Sequence, residues 1–232
     1  MIQSLLSSPL FGIALTVATG ALGLYIKTKM AWRLFNPMLF SMLLIIALLL
    51  LLKIPYADYQ AGGDLILKML GPITVVLAVP LYQHHDKLRR HAVAILLGVA
   101  FGSLSALLSV YLFSWMAGLD LTLLNSLLPR SITTPIGIAA SEMLGGLVGL
   151  TAIIIIITGT FGAIVADWAF KVFKISDPIA KGVALGTSAH AIGTGKAFEY
   201  GPLEGAMSGL SIAIAGVSTI LWLFLFQFLG LL

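Results

Sequence analysis

Long runs of hydrophobic residues alternate with short polar stretches along this chain. Five runs contain no Asp, Glu, Lys or Arg and are long enough to cross a bilayer, which takes about 20 apolar residues; they are residues 1–26, 34–52, 92–119, 143–166 and 205–232. An interrupted crossing is predicted over residues 64–82, and a second begins at residue 177. The pattern predicts an all-α polytopic membrane protein with about seven to eight transmembrane segments, built as a single domain over residues 1–232.

The polar residues leave little room for a soluble domain. Hydrophobic residues make up 59% of the chain and charged residues only 9%, against about 25% charged residues in soluble domains. The net charge of +4 is interpreted as basic residues in cytoplasmic loops, so nucleic-acid binding is not expected. The lack of cysteine excludes disulfides and thiolate metal sites. No catalytic motif, metal site or cofactor site emerges, and we expect no enzymatic activity.

Clusters of basic residues give the predicted orientation, because cytoplasmic loops are enriched in Lys and Arg. The first cluster, within residues 27–33, places the N-terminus outside, and the second lies at residues 84–91. A third cluster, within residues 171–181, is cytoplasmic only if residues 121–141 are re-entrant or peripheral. The other possibility is that this cluster is an exception to the enrichment of Lys and Arg in cytoplasmic loops. We favour the re-entrant or peripheral path. The same count of crossings places the C-terminus inside.

A weak internal repeat agrees with these directions. Residues 64–74 read DLILKMLGPIT, and residues 177–187 read DPIAKGVALGT. The charge pattern sends the first segment inward and the second outward, which is typical of the inverted repeats with broken helices found in secondary transporters. We therefore predict repeat halves of residues 1–117 and 118–232. The alternative is that Gly and Pro are simply common in transmembrane helices.

Three segments are rich in Gly, Pro, Ser and Thr where the rest of the chain is aliphatic: residues 70–81, 128–141 and 182–197. The last contains GTGK, but it lacks the first glycine and the final hydroxyl of a phosphate-binding P-loop. At membrane depth, non-helical backbone is tolerated only where protein or a water-filled cavity covers it. We therefore expect the three segments to converge inside the protein and to offer backbone groups to a solute.

Half-helix N-termini attract anions, and Ser or Thr hydroxyls add further donors. The alternative for each hydroxyl is an ordinary hydrogen bond between membrane helices. The predicted substrate ligands are Gly71, Pro72, Thr74, Arg130, Ser131, Thr133, Thr134, Thr187, His190, Gly193 and Thr194.

Ionisable residues at membrane depth are functional candidates. His190 is predicted to relay a proton or to bind a carboxylate, and the alternative is a neutral histidine bonded to a nearby carbonyl. Glu142 is a second candidate for coupling, on the expectation that it is buried. Arg130 and Lys196 either meet an anionic substrate or extend to the membrane surface. Lys196, Glu199 and Glu204 are expected to flank the outer end of their segment.

Four stretches of the chain resemble the LrgB/CidB family, which includes the C-terminal half of the plant plastidial glycolate/glycerate translocator. They read GPITVVLAVPLY (71–82), LPRSITTPIG (128–137), GGLVGLTAIIIIITGTFGA (145–163) and DPIAKGVALGTSAHAIGTGKAFEYGPLEGAMS (177–208). The resemblance covers nearly the whole chain. At Gly195-Lys196 the family pattern has a second small residue and then Arg, which puts the role of Lys196 in doubt.

The resemblance implies two functions. One is carriage of a small monocarboxylate of the glycolate, glycerate or pyruvate class, on a fold similar to carriers with crossed broken helices. The other is antiholin-like or holin-like regulation of murein hydrolase activity and lysis. An LrgA/CidA-like membrane partner, a homo-oligomer and a location in the bacterial plasma (inner) membrane are also expected. The carrier interpretation is favoured, because interrupted polar segments destabilise a membrane protein unless a solute uses them.

Overall fold

The structure is a computed structural model that describes residues 8–30, 35, 37–69, 78–83 and 85–232. These residues form helices and contain no strand, which confirms the all-α prediction. The helices are α1 (Pro9–Met30), α2 (Pro37–Leu51), α3 (Tyr56–Lys68), α4 (Ala78–Gln83), α5 (His85–Met116), α6 (Leu121–Leu127), α7 (Thr134–Met143), α8 (Val148–Val172), α9 (Pro178–Tyr200) and α10 (Pro202–Phe228), with a 3₁₀ turn at Leu128–Ser131 between α6 and α7.

Four helical stretches of the described residues are long and apolar enough to cross a membrane: Pro9–Lys29, Arg89–Met116, Val148–Val172 and Pro202–Phe228. The shorter helix Leu39–Leu51 is also apolar. The protein is therefore a multi-pass membrane protein, as predicted. The total of seven to eight spans and the inverted repeat stay predictions.

The chain forms two compact units, residues 1–76 and 77–232. In the first unit, α1 packs against α2 and α3. The hydroxyls of Thr19 and Ser41 are 2.7 Å apart, and those of Thr16 and Tyr59 are 3.0 Å apart. Small residues let membrane helices approach closely, and a methyl group added to Gly62 would lie 2.7 Å from the Cα of Gly12.

The predicted span over residues 64–82 lies partly outside the described residues. Helix α3 ends at Lys68 and α4 begins at Ala78. The first interrupted segment, residues 70–81, falls mostly between them, and with it Gly71, Pro72 and Thr74. Their roles as substrate ligands stay predictions.

In the second unit, α5 and α10 run side by side in the same direction. Near their N-termini, Ile95 belongs to one hydrophobic cluster with Ala206 and Met207. Towards their C-termini, Leu107 belongs to another cluster with Leu223. Helix α8 packs against the segments on either side of it in sequence, described next.

Helices α6 and α7 form a hairpin. The Asn125 Nδ2 group donates to the Leu144 carbonyl at 2.6 Å, and the Leu147 amide donates to Ser126 Oγ at 2.7 Å, so the chain after α7 returns to the last turn of α6. Helices of 7 and 10 residues are about 10 and 15 Å long, too short for a hydrocarbon core of about 30 Å. Neither helix can therefore span the membrane alone, which is compatible with both expected paths of residues 121–143; the choice between a re-entrant and a peripheral path stays a prediction.

Helix α9 also folds back on itself, at His190, whose φ of 41° and ψ of −134° interrupt the helix. Leu185 and Ala197, on opposite sides of this break, share one hydrophobic cluster. The Lys181 Nζ atom lies 5.5 Å from the centre of the Tyr200 ring. An unbroken helix would hold those two residues about 28 Å apart.

This second hairpin corrects the predicted topology. Residues 178–200 do not cross the unit, so Lys196, Glu199 and Glu204 lie at the same end as Lys181 and not at the opposite, outer end. Helix α10 then starts from that end. The prediction of an inside C-terminus counted a crossing at α9; the orientation of both termini stays a prediction.

Candidate functional site

The turns of the two hairpins meet at Ile155, which is fully buried near the middle of α8. The Ile155 carbonyl oxygen lies 3.0 Å from His190 Nε2, at the turn of the α9 hairpin. The Ile155 side chain lies against Gly137. A methyl group added to Gly137 would meet Ile155 Cδ1 and would lie 3.3 Å from the Pro129 carbonyl oxygen. One residue of α8 thus touches both interrupted segments.

The hairpins enter from opposite ends of α8. The α6–α7 hairpin is bonded to the N-terminal end of α8, because Thr151 Oγ1 donates to Ser141 Oγ at 2.7 Å. The α9 hairpin is tied to the C-terminal end, because Lys196 Nζ lies 3.1 Å from Asp167 Oδ2. Two interrupted segments thus approach one helix from its opposite ends, and the inverted repeat that we predicted for such segments stays a prediction.

His190 is 3% exposed and adopts a backbone conformation that favours glycine. Because a carbonyl only accepts, Nε2 carries the proton in the bond to Ile155. A methyl group added to Gly159 would lie 2.6 Å from the ring, so this glycine makes room for the imidazole. The structure therefore matches the alternative of a histidine bonded to a nearby carbonyl, and it leaves a proton-relay role untested.

The hydroxyls of α9 already have protein partners. Thr187 Oγ1 donates to the Val183 carbonyl at 2.7 Å, and Thr194 Oγ1 lies 2.7 Å from Ser208 Oγ on α10. Gly193 is buried where the two arms come close, and its added methyl group would lie 2.7 Å from Ala189 Cβ. In this state these residues hold the hairpin together, as the helix-packing alternative describes.

The turn before α7 is more open to a ligand. Thr133 is the N-cap of α7 but makes no side-chain capping bond, and Thr133 and Thr134 are both half-buried. Amides in the first turn of a helix have no partner within the helix. Arg130 Nη2 donates to Ser109 Oγ on α5 at 3.0 Å, and Ser131 is buried. These residues offer positive charge and donors close to Ile155.

A buried hydroxyl network escaped the sequence analysis. Thr151 Oγ1 lies 2.9 Å from the Ser126 carbonyl in addition to its contact with Ser141, and all three residues are fully buried. Two other buried oxygens, Asn125 Oδ1 and Thr219 Oγ1, have no hydrogen-bond partner among the residues that the structure describes. The sequence feature that could have revealed this network is Thr151, which lies next to the isoleucine-rich run of α8, since such a hydroxyl needs a hydrogen-bond partner within the membrane.

Two predicted roles change. Glu142 is exposed on the surface of its unit and not buried, because α7 places it on the face away from Ala140 and Ser141. The prediction that Glu142 takes part in coupling assumed that it is buried, and this assumption does not hold. Lys196 lies between Asp167 and the Glu199 carboxylate, the latter also at 3.1 Å, so its charge is neutralised by protein groups. Among the described residues, no group of three or more His, Asp or Glu side chains could hold a metal ion.

A model of the LrgB-like family matches residues 16–228. The chain belongs to the LrgB-like family. Antiholin-like protein LrgB of Bacillus subtilis (strain 168) is 37% identical over 216 residues, which cover 92% of this chain and 93% of that protein. Antiholin-like protein LrgB of Bacillus mycoides (strain KBAB4) is 33% identical over 225 residues, 96% and 98% of the two chains.

A further relative, the uncharacterised protein YwbG of Bacillus subtilis (strain 168), is 42% identical over 185 residues, which cover 80% of this chain and 82% of that protein. No solved structure matches this chain. The family membership predicted from four sequence stretches is confirmed.

Proposed function

We propose that this LrgB-like protein is a secondary carrier for a small monocarboxylate of the glycolate, glycerate or pyruvate class. The observation that carries the proposal is the meeting of two opposed hairpins at Ile155. A regulator that acts only through protein contacts has no need of interrupted helices in the membrane. A carrier does, because the breaks supply backbone groups for a solute and allow each side of the site to open in turn.

The carboxylate would bind at the turn before α7. Thr133, Thr134 and the first-turn amides of α7 supply donors, and Arg130 supplies a positive charge from the same turn. An anion at the N-terminus of a helix is stabilised by the helix dipole. His190, on the facing hairpin, would couple translocation to a proton or to a bound cation.

The second candidate is antiholin-like regulation of murein hydrolase activity and lysis. The names of the two antiholin-like relatives favour it more directly than they favour a carrier. In this function the protein would act in the bacterial plasma membrane with an LrgA/CidA-like partner or as a homo-oligomer. The two candidates are compatible, because altered carboxylate balance could itself affect lysis.

Uptake into proteoliposomes tests the carrier proposal. Radiolabelled pyruvate, glycolate and glycerate would be offered to the purified full-length protein, with and without an LrgA-like partner, under imposed pH and sodium gradients. Thr134→Ala and His190→Ala should reduce uptake. Ser188→Ala is the matched control, because Ser188 is an exposed hydroxyl of α9 bonded only to the Ala184 carbonyl.

Saturable, gradient-dependent uptake of one anion, lost in Thr134→Ala and kept in Ser188→Ala, would support the carrier. Leakage of unrelated solutes would instead support a holin-like pore. Absence of flux from a folded protein that still alters lysis in cells would refute the carrier and leave the antiholin-like regulator.

A further inference from the structure

A shallow cleft of about 500 Å³ lies where α8 ends and where both arms of α9 meet. Such a volume is within the range of about 300–1,000 Å³ that small-ligand sites occupy. The cleft is separate from the meeting point at Ile155. It is lined by Asp167, Phe170, Lys171, Lys174, Ile175, Ser176, Lys181 and Tyr200.

The cleft carries net positive charge. Within the described part of the chain, Lys171, Lys174 and Lys181 make no ion pair, although Lys181 lies over the Tyr200 ring. The one carboxylate of the lining, Asp167, is already engaged by Lys196 Nζ at 3.1 Å and by the Tyr200 hydroxyl. Three lysines around one neutralised carboxylate leave a site suited to an anion.

The surroundings place this cleft at the membrane surface. It lies at the last turn of α8, a helix apolar enough to cross the membrane. Trp168 and Phe173, on that turn and next to it, are 63% and 70% exposed. Aromatic residues with exposed rings at helix ends are typical of the interface between hydrocarbon and headgroups, so a ligand can reach the cleft from the bilayer.

We propose that the cleft binds the phosphate of an anionic phospholipid headgroup. Basic pockets between membrane helices bind such headgroups, and the flanking aromatic rings give the acyl chains an apolar surface to follow. A bound lipid would touch the end of α8 and both ends of α9, and would thereby hold the base of the α9 hairpin closed. The proposal does not depend on what the protein transports.

Native mass spectrometry of the purified full-length protein tests the site. Dioleoyl phosphatidylglycerol, dioleoyl phosphatidylcholine and inorganic phosphate would be titrated separately. The wild type should retain the anionic lipid in preference to the other two. Since each lysine near an anionic surface contributes a factor of about five, the triple variant K171Q/K174Q/K181Q should lose affinity by about a hundredfold.

The matched control is K87Q/R89Q/R90Q, which removes the same charge from residues that do not line the cleft. Ser176→Asp is a second variant that adds a carboxylate to the cleft and keeps every lysine; it should weaken lipid retention even if the triple variant fails to fold. Equal losses in the cleft and control variants, equal retention of the zwitterionic lipid, or displacement by inorganic phosphate would each overturn the proposal.

Discussion

Replacing His190 separates two effects that the structure combines in one residue. The ring bonds the Ile155 carbonyl, and the backbone holds a positive φ of 41°. His190→Ala removes the bond and keeps the unfavourable backbone. His190→Gly removes the bond and also relieves the backbone, because glycine adopts positive φ without a Cβ clash.

The sizes of these contributions to stability predict which variant is the more stable. A side-chain hydrogen bond within a membrane protein contributes about 0.6–1.7 kcal/mol, and both variants lose it. A non-glycine residue in such a backbone conformation costs about 1–3 kcal/mol, whereas glycine gives back about 0.4–1 kcal/mol through the unfolded chain. His190→Gly should therefore be more stable than His190→Ala by about 0.5–2 kcal/mol. The wild type should also be more stable than His190→Ala.

The assay is reversible unfolding of the full-length protein in mixed micelles, with the free energy of unfolding read from the denaturant series. His91→Ala, an exposed histidine of α5, controls for loss of an imidazole and should change stability little. If His190→Ala proved as stable as His190→Gly, the turn at residue 190 would not exist in the folded protein. The hairpin geometry of α9 would then be wrong.

Three further tests probe the same unit by the same unfolding measurement. Gly159→Ala should destabilise the protein by about 1–3 kcal/mol, since its methyl group overlaps the buried imidazole. The control is Gly149→Ala on the same helix, whose methyl group meets nothing within 4 Å, so this substitution should be neutral or stabilising. Thr151→Val should lose about 1–3 kcal/mol, because buried oxygens are left without their donor, and no loss would refute the hydroxyl network. A double-mutant cycle of Lys196→Met with Asp167→Asn should give a coupling of at most about 1 kcal/mol that falls with added salt; a coupling unaffected by salt would contradict the partly exposed geometry.

The helical class and the long spans could be read from the sequence, because hydropathy over a bilayer-length window is governed by composition alone. Helices α1, α5, α8 and α10 each lie within or near a predicted run. The sequence also predicted that residues 121–143 do not form a single crossing, since the basic clusters on either side required an even number of crossings there, and the two short helices agree with this. What these arguments share is that each depends on charge and length and not on side-chain contacts.

The return of α9 could not be predicted in this way. Its 23 residues have the length of a span, and residue 190 is a histidine where a glycine would have marked a turn. The decisive contacts are tertiary: Gly182 and Gly186 allow α10 to approach the first arm, and the second arm packs back through Ala197. Small residues were visible in the sequence, but they were interpreted as a ligand site, whereas in the structure they are chiefly places of close packing.

The two ends of the α9 hairpin are held by different kinds of interaction, and this bears on how the unit could move. The turn is held by a few neutral hydrogen bonds, from His190 to Ile155 and between Thr194 and Ser208, each worth about 0.6–1.7 kcal/mol. The base is held by the Lys196–Asp167 pair, the Tyr200 hydroxyl and the packing of Phe170. The turn adopts an unfavourable backbone conformation that costs about 1–3 kcal/mol, and rearrangement would relieve this cost. The turn is therefore the part of the hairpin that a solute could displace. If the protein is the carrier proposed above, its alternating-access cycle would therefore rearrange the two turns beside Ile155.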